Sequence, residues 1–205
     1  MTHTNSTIII AFMGVDGSGK STLINKLCKK LSKKYNKIKY LHLRPYLFLT
    51  DKRTIIKNPH IQRTPNSKFL SLLKILHWLF MYKFFFTIMI KKKNQLIIFD
   101  RFAHDLLIDK IRYKFNLSNK LSNRILKLFP EPHLWIVLKA PIKTIEKRKK
   151  ELSSNELKKQ MKKYINFSTK KKNSLLLDTK ISINKNIILI IKKIRSIQYR
   201  KNKKI

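Results

Sequence analysis

The sequence predicts a three-layer α/β fold in which a parallel sheet of about five strands has helices on both faces. Short apolar runs of strand length alternate along the chain with longer segments of helical period, and this alternation is typical of a parallel sheet with crossover helices. All three glycines of the 205-residue chain lie between positions 14 and 19, directly after the first apolar run. One short loop therefore needs backbone shapes that side chains would block.

The first elements follow in the order strand, helix, strand. Residues 7–13 form a continuous β-branched and apolar run, which predicts a buried strand. From residue 18 the leucines recur four apart, which predicts a helix. Residues 38–43 alternate apolar and polar side chains and predict a second strand that ends at Arg44. The polar residues 50–66, which include two prolines, predict a loop.

The segment 69–90 is long and rich in Leu, Phe and Ile, so it raises the question of a membrane-spanning helix. Lys74 and Lys83 interrupt it, and each lysine at the centre of a bilayer would cost about 2.5–3.5 kcal/mol. We therefore predict a helix buried between the sheet and neighbouring helices, with no transmembrane span. Contact with a membrane surface or with a partner protein is the alternative.

The second half of the chain continues the alternation. Strands are predicted at residues 95–99, 133–138 and 174–177, and helices at residues 118–129, from residue 141, at residues 155–169 and from about residue 183. No internal repeat and no long linker is visible in the sequence. We therefore predict that residues 1–205 form a single domain.

The net charge of +38 is expected of proteins that bind nucleic acids or anionic membranes. The excess is mainly lysine, is spread along the chain and is accompanied by abundant Ile and Asn. AT-rich coding DNA produces the same profile without any such partner. Because basic footprints normally cluster on one face, we do not predict nucleic-acid binding as the main function.

The cysteine content and the start of the chain indicate the compartment. The single cysteine, Cys28, excludes an intramolecular disulfide and is typical of a reducing compartment. The first apolar run lacks the basic lead-in of a signal peptide and continues directly into the glycine loop. We therefore expect a cytoplasmic protein.

The glycine loop carries the clearest functional motif. Residues 14–21 fit G-x-x-x-x-G-K-[ST] between a predicted strand and a predicted helix, which is the context that the motif requires. Backbone N–H groups in such a loop surround phosphate oxygens, the lysine reaches the β- and γ-phosphates, and the hydroxyl coordinates Mg²⁺. The motif predicts binding of ATP with Mg²⁺ through Gly14, Val15, Asp16, Gly17, Ser18, Gly19, Lys20, Ser21 and Thr22.

Charged side chains follow several predicted strands at the points where these strands end. Arg44 follows the second strand, and Asp100 and Arg101 follow the strand at residues 95–99. Ligands of parallel sheets bind beyond the carboxyl ends of the strands, so these residues and the glycine loop should share one edge. Arg44 would either hold a phosphate there or only end its strand. Asp100 and Arg101 would either act on the ligand or form an ordinary salt bridge.

A second group of charged residues follows this strand end. Asp105, Asp109 and Arg112 are spaced four and three residues apart, so on a helix they would share one face. They would line the pocket of an acceptor, with Asp105 as its binding residue, or form an ion-pair network within the helix. His104 has no assigned role.

Two further features narrow the motif to a family. An acid, Asp16, follows the second position of the loop, and an Asp-Arg-aromatic triplet, Asp100-Arg101-Phe102, ends a later strand. In both features the chain resembles the thymidylate kinase branch of P-loop nucleoside monophosphate kinases. The likeness extends over nearly the whole chain, through HLRP at 42–45, FDRFAHDLLIDKIRY at 99–113, KRKKELSSNELKKQ at 147–160 and LLLDT at 175–179.

The resemblance implies a P-loop kinase fold and specific roles for matching residues. Asp16 would contact the acceptor, Arg101 would hold the acceptor phosphate, and Asp100 would organise Mg²⁺ and its water. Arg148 would lie in a mobile lid near residues 141–160 that closes over the transferring phosphoryl group. A solvated position within its run of lysines is the alternative for Arg148. Members of the family are often dimers, so a homodimer is also implied.

The acceptor half of the chain departs from the family pattern. Typical thymidylate kinases follow the second strand with Arg-Glu-Pro-Gly-Gly-Thr, whereas this chain reads LRPYL at 43–47. They also carry an Ala-Tyr-Gln stretch near the thymine base, where this chain has AHDLLIDKIRYKF at 103–115. The resemblance is therefore stronger for the residues expected to bind ATP than for those expected to bind the acceptor.

Three functions are compatible with these features. The first is an ATP-dependent phosphotransferase acting on a nucleoside monophosphate, with dTMP as the default. The second is a kinase acting on another small acceptor, such as a sugar or a nucleotide-sugar precursor. The third is a nucleotide-binding regulator that uses the basic surface and segment 69–90 for a partner. The intact set of Lys20, Ser21, Asp100 and Arg101 favours an enzyme.

Overall fold

The computed structural model of the chain describes residues 6–43, 64–149 and 151–203. Strands and helices alternate through most of this length, as the sequence predicts. In chain order the elements are β1 (Ile8–Met13), α1 (Lys20–Leu31), β2 (Lys37–His42), α2 (Lys68–Ile90), β3 (Gln95–Asp100), α3 (Asp105–Ile108), α4 (Asn119–Leu126), β4 (Leu134–Lys139), α5 (Ile142–Arg148), α6 (Ser154–Thr169), β5 (Ser174–Asp178) and α7 (Ile183–Asn202).

The strands form one five-stranded parallel sheet in the order β2-β3-β1-β4-β5. β1 lies at the centre, with Phe12 opposite Asp100 of β3 and Met13 opposite Val137 of β4. β2 is an edge strand, which explains the alternation of apolar and polar side chains along it. Because all strands are parallel, their carboxyl ends meet at one edge of the sheet.

Alternate side chains of the central strands enter two separate cores. Ile9, Ala11 and Met13 of β1 face the core shared with α2, α4 and α6. Ile8, Ile10 and Phe12 face the core shared with α1 and α7. The apolar run of β1 is continuous because both faces of the sheet are covered by helices. These cores confirm the three-layer architecture.

α2 is buried on one face only, which differs from the predicted helix between the sheet and its neighbours. Ile75, Trp78, Tyr82 and Phe86 lie on its buried face. On its outer face large apolar side chains remain exposed: Phe69, Leu70, Leu73, Leu76, Phe80, Phe84, Ile88 and Ile90. By length and composition alone α2 is also a candidate membrane span. Of its 18-residue stretch with the highest mean hydropathy, 33% is buried inside the protein.

The arrangement in which three charged residues would share one helix face is not formed. Asp105, Asp109 and Arg112 do not share a helix face, because α3 ends at Ile108 and residues 110–114 form turns. Arg112 instead reaches back to the glycine loop, where its guanidinium bonds to Asp16. Arg44 and most of the predicted loop at 50–66 lie outside the described residues.

Candidate active site

The glycine loop connects the end of β1 to the start of α1, and its backbone explains the glycines. Gly14, Gly17 and Gly19 all have positive φ angles, of 147°, 80° and 92°. A Cβ atom on Gly14 would lie only 3.0 Å from the backbone oxygen of Leu138. Other residues would therefore be strained at these positions, and at Gly14 a side chain would also collide with β4.

Lys20 is the first residue of α1, and its side chain folds back over the loop. Its Nζ donates to the backbone oxygens of Gly14 at 2.8 Å and Val15 at 2.9 Å. Only 6% of the residue is exposed. Burial, and then the charge of Arg101, lower the pKa of Lys20 to about 8. The ammonium group is thus held at the loop in a position to contact a bound phosphate.

Ser21 and Asp100 come together across the sheet edge. The Ser21 hydroxyl donates to Oδ2 of Asp100 at 3.4 Å, and the Tyr40 hydroxyl of β2 donates to the same oxygen at 2.9 Å. Oδ1 of Asp100 is buried and has no hydrogen-bond partner within the described part of the chain. A hydroxyl beside a carboxylate oxygen with spare acceptor capacity fits a hard cation such as Mg²⁺.

The carboxylate of Asp16 lies between two arginines. Arg101 and Arg112 each donate a hydrogen bond to it, one to each oxygen. Lys20 adds a third positive charge, with Nζ 3.9 Å from Oδ1. Although burial acts to raise it, the pKa of Asp16 is held far below its usual range by the charges of Arg101, Lys20 and Arg112. Asp16 is therefore ionised at any physiological pH.

A buried network fixes Arg101 on its other side. Its Nη1 donates to Asp105 at 2.6 Å and to the Tyr164 hydroxyl of α6 at 3.1 Å. That hydroxyl donates to the second oxygen of Asp105 at 3.0 Å, and the Tyr113 hydroxyl lies 3.5 Å from the first. Asp105 is fully buried and Arg101 is 2% exposed. Asp105 thus holds Arg101 in place.

Arg148, at the end of α5, also lies at the loop. Its Nη1 donates to the backbone oxygen of Gly17 at 3.2 Å, while the side chain remains exposed. A Cβ atom on Gly17 would contact Ile145 of the same helix at 3.4 Å. α5 is therefore packed against the glycine loop.

No protein-family model and no curated protein matches the sequence, but solved structures match its fold. Thymidylate kinase from Candida albicans matches with a TM-score of 0.61 and 18% identity over 96% of this chain and 93% of its own. Thymidylate kinase from Ehrlichia chaffeensis matches with a TM-score of 0.58 and 21% identity over 92% and 98%. Deoxyadenosine kinase from M. mycoides matches with a TM-score of 0.55 and 19% identity over 92% and 100%.

The chain has the fold of these nucleotide and nucleoside kinases. The predicted α/β class is confirmed, and the resemblance of the chain to thymidylate kinases holds for the arrangement of its backbone. Most of the site residues predicted from the sequence lie together at the carboxyl edge of this kinase fold: Asp16, Lys20, Ser21, Asp100, Arg101, Asp105 and Arg148. Thr22 is exposed on α1, and the predicted Arg44 lies outside the described residues.

Sequence reasoning missed three tyrosines of this site: Tyr113, whose hydroxyl lies 3.5 Å from Asp105, and two that reach the site from distant segments. Tyr40 is an ordinary apolar position of an alternating strand, and its bond to Asp100 depends on the pairing of β2 with β3. Tyr164 occupies a buried position of α6 at helical spacing, which predicts a core residue. Neither carries a local signal, because both reach the site only through the packing of distant segments.

Proposed function

We propose that this protein is an ATP-dependent kinase that transfers the γ-phosphoryl group of ATP to a nucleoside monophosphate, with dTMP as the default acceptor. The observation that carries the proposal is the convergence of Lys20, Asp100 and Arg101 on one glycine loop. Phosphoryl transfer depends mainly on positioning and on neutralising oxygen charge, which these groups supply.

The donor side of the site follows from the loop. Backbone N–H groups between residues 14 and 21 would surround the terminal phosphates of ATP, and the start of α1 would add its positive potential. Lys20 would leave its bonds to Gly14 and Val15 for the β- and γ-phosphate oxygens. The fold supports ATP as donor, since one of the matching structures, deoxyadenosine kinase, contains dATP.

Ser21 and Asp100 would hold Mg²⁺, the first through its hydroxyl and the second directly or through water. The cation would neutralise charge on the phosphates as the bond to the leaving group breaks. No cluster of three or more His, Cys, Asp or Glu that could hold a metal is found among the described residues. This fits Mg²⁺ in a kinase, which takes one or two protein ligands and completes its shell with phosphate and water.

On the acceptor side, Asp16 and Arg101 would orient the incoming molecule. An acceptor oxygen then attacks the γ-phosphorus of ATP while the bond from this phosphorus to the β-phosphate oxygen breaks, which yields ADP and the phosphorylated acceptor. Residues 141–160, with Arg148 against the loop, would close over the reacting groups and exclude water, which would otherwise act as the acceptor. Asp105 would contribute by holding Arg101, and Arg44 would add a further phosphate contact.

The identity of the acceptor distinguishes the candidate functions. The matching solved structures include enzymes named for a phosphorylated acceptor, thymidylate, and for an unphosphorylated one, deoxyadenosine. Measurement of ADP release with nucleoside monophosphates, nucleosides and sugar phosphates separates the candidates. Turnover only with a sugar phosphate would support the second function from the sequence, and ATP binding without acceptor-dependent ADP release would support the regulator.

Replacement of Lys20 tests the donor site. We expect Lys20→Ala to lower kcat by about 100- to 1,000-fold, the usual cost of removing one group that stabilises developing charge. The matched control is Lys26→Ala, which removes an exposed lysine of the same helix and should retain full activity. Undiminished turnover in Lys20→Ala, with an unchanged circular dichroism spectrum, would remove the glycine loop from the reaction.

A further inference from the structure

The two arginines that bind Asp16 differ in how firmly they are held. Arg101 is 2% exposed and also bonds to Asp105 and Tyr164. If Arg101 moved, it would leave the fully buried Asp105 without its positive partner, which is costly in a protein interior. Arg101 is therefore a fixed part of the site and has little freedom to follow a substrate.

Arg112 is held much less firmly. It lies in the turns that follow α3, and its side chain is 17% exposed. Among the described residues, Asp16 is the hydrogen-bond partner of its guanidinium. Its backbone N–H donates to Oδ1 of Asp109 at 3.3 Å, a bond that anchors the turn and does not involve the guanidinium group.

Asp16 does not depend on Arg112 for neutralisation. If the Arg112 guanidinium moved away, Asp16 would keep the hydrogen bond from Arg101 and the charge of Lys20 at 3.9 Å. Arg112 can therefore exchange this carboxylate for another oxyanion at the mouth of the glycine loop. The guanidinium group presents paired donors that match two oxygens of a phosphate as well as those of a carboxylate.

We propose that Arg112 binds the phosphate group of the acceptor and so selects a phosphate monoester over the unphosphorylated nucleoside. This inference rests on the proposed kinase function and adds to it a specificity residue that the motif pattern does not contain. In the free protein Asp16 takes the place of that phosphate between the two guanidinium groups. When the acceptor binds, the Arg112 guanidinium leaves Asp16 and donates its hydrogen bonds to the phosphate oxygens instead.

The test compares Arg112→Gln with the wild type on paired acceptors, dTMP with thymidine and dAMP with deoxyadenosine. For a monophosphate that the wild type phosphorylates, we expect KM to rise about 10- to 100-fold, the usual effect of losing a charge-assisted hydrogen bond. The KM for ATP should stay the same. Turnover of the nucleosides should also stay the same. The preference of the enzyme for a monophosphate over the corresponding nucleoside should therefore be lost.

Two further variants separate this role from a structural one. Arg112→Lys keeps the charge without the paired donors and should recover part of the lost affinity. Arg124→Gln removes an exposed arginine of α4 and should behave as the wild type. The shift in melting temperature caused by dTMP provides a readout that needs no turnover, and it should shrink in Arg112→Gln only.

The outcomes distinguish this inference from the proposed function. If the wild type releases ADP with a monophosphate and Arg112→Gln keeps the same acceptor KM, the role of Arg112 is refuted and the kinase stands. An equal loss of activity with a nucleoside and with its monophosphate in Arg112→Gln would likewise refute the role. If the wild type neither phosphorylates nor binds any of these acceptors, the proposed function fails, and the inference fails with it.

Discussion

At the scale of single residues, the backbone of Arg101 shows how the site is built. Its φ angle of 77° lies in the left-handed region, which costs a non-glycine residue roughly 1–2 kcal/mol. The turn is held by a bond from its N–H to the Phe12 oxygen at 2.9 Å and by the ion pairs of its side chain. Strain of this kind persists only where the surroundings oppose relaxation, and it is concentrated at functional sites.

His133 shows that a half-buried polar residue can also serve the fold alone. Its Nδ1 accepts a hydrogen bond from the backbone N–H of Ile9 at 2.9 Å and thus joins the start of β4 to β1. That nitrogen must be unprotonated to accept the bond. Burial, and then the nearby charge of Lys201, lower the pKa of His133 to about 4.

We predict that this histidine makes the protein less stable in acid. Between pH 6.5 and 4 the unfolded chain binds a proton that the folded chain does not, so the free energy of unfolding falls as the pH falls through this window. The loss is on the order of 2–3 kcal/mol. Urea unfolding at pH 7 and pH 4.5 measures it, and His133→Gln should reduce the difference.

His77→Gln is the matched control, because His77 is exposed on α2. It should leave the pH dependence unchanged. His104, whose pKa burial lowers to about 3, accounts for part of the dependence that remains in His133→Gln. An identical pH dependence in the wild type and His133→Gln would contradict the prediction.

At the scale of elements, α2 is the described helix that leaves the most large apolar side chains exposed. Phe69, Leu73, Leu76, Phe80 and Phe84 recur at steps of three and four, so they form one apolar stripe along the outer face. Their exposed fractions range from 43% to 67%. A contiguous apolar surface of this kind on a folded chain usually marks a contact with another surface.

We expect this stripe to pair with the same stripe of a second copy. A two-fold contact brings each patch against itself, so a stripe that is apolar throughout is self-complementary. Each copy carries a charge of +38, so association should strengthen as salt screens the repulsion. Sedimentation at low and high salt should show a dimer that Phe80→Ser with Phe84→Ser abolishes.

The control for the stripe is Ile188→Ser, which removes an exposed apolar side chain of α7. It should leave the dimer intact, and none of the variants should lower the melting temperature much, because the altered side chains are exposed. A wild type that remains monomeric at every concentration and floats with anionic vesicles would contradict this expectation and favour the membrane contact considered from the sequence.

At the scale of the whole molecule, the charge of +38 is the dominant property. It arises from 48 Lys and Arg against 10 Asp and Glu. Of these acids, Asp16, Asp100 and Asp105 are gathered at the candidate active site. The remaining surface is therefore strongly basic, and it will attract any polyanion at low salt.

We predict that binding to DNA is independent of sequence and is lost as the salt concentration rises. Two unrelated duplexes should bind with equal affinity, and the affinity should fall about 1,000-fold or more between 50 and 200 mM salt if six or more phosphates are contacted. Fluorescence anisotropy measures the affinity for each duplex and its dependence on salt. Tight binding at the higher salt, or a preference for one duplex, would show that the basic surface has a nucleic-acid partner.

Local sequence patterns were sufficient to predict the layers of the fold and the position of the glycine loop between β1 and α1. The continuous run of β1, the glycine loop and Lys20 are neighbours in the chain, so their spacing alone specifies a strand, a glycine-rich turn and a helix start. Asp100 and Arg101 were also predictable, because residues that end parallel strands must meet at one edge of the sheet.

Only the tertiary structure decided which side chains surround Asp16 and which face of α2 is left uncovered. Arg112 and Tyr164 reach the site from turns and helices far along the chain, and Tyr40 reaches it through strand pairing. Spacing along an element determines which residues share a face, but it does not determine what that face meets. The surface against which a face packs depends on how all layers fit together, and this packing is a property of the whole chain.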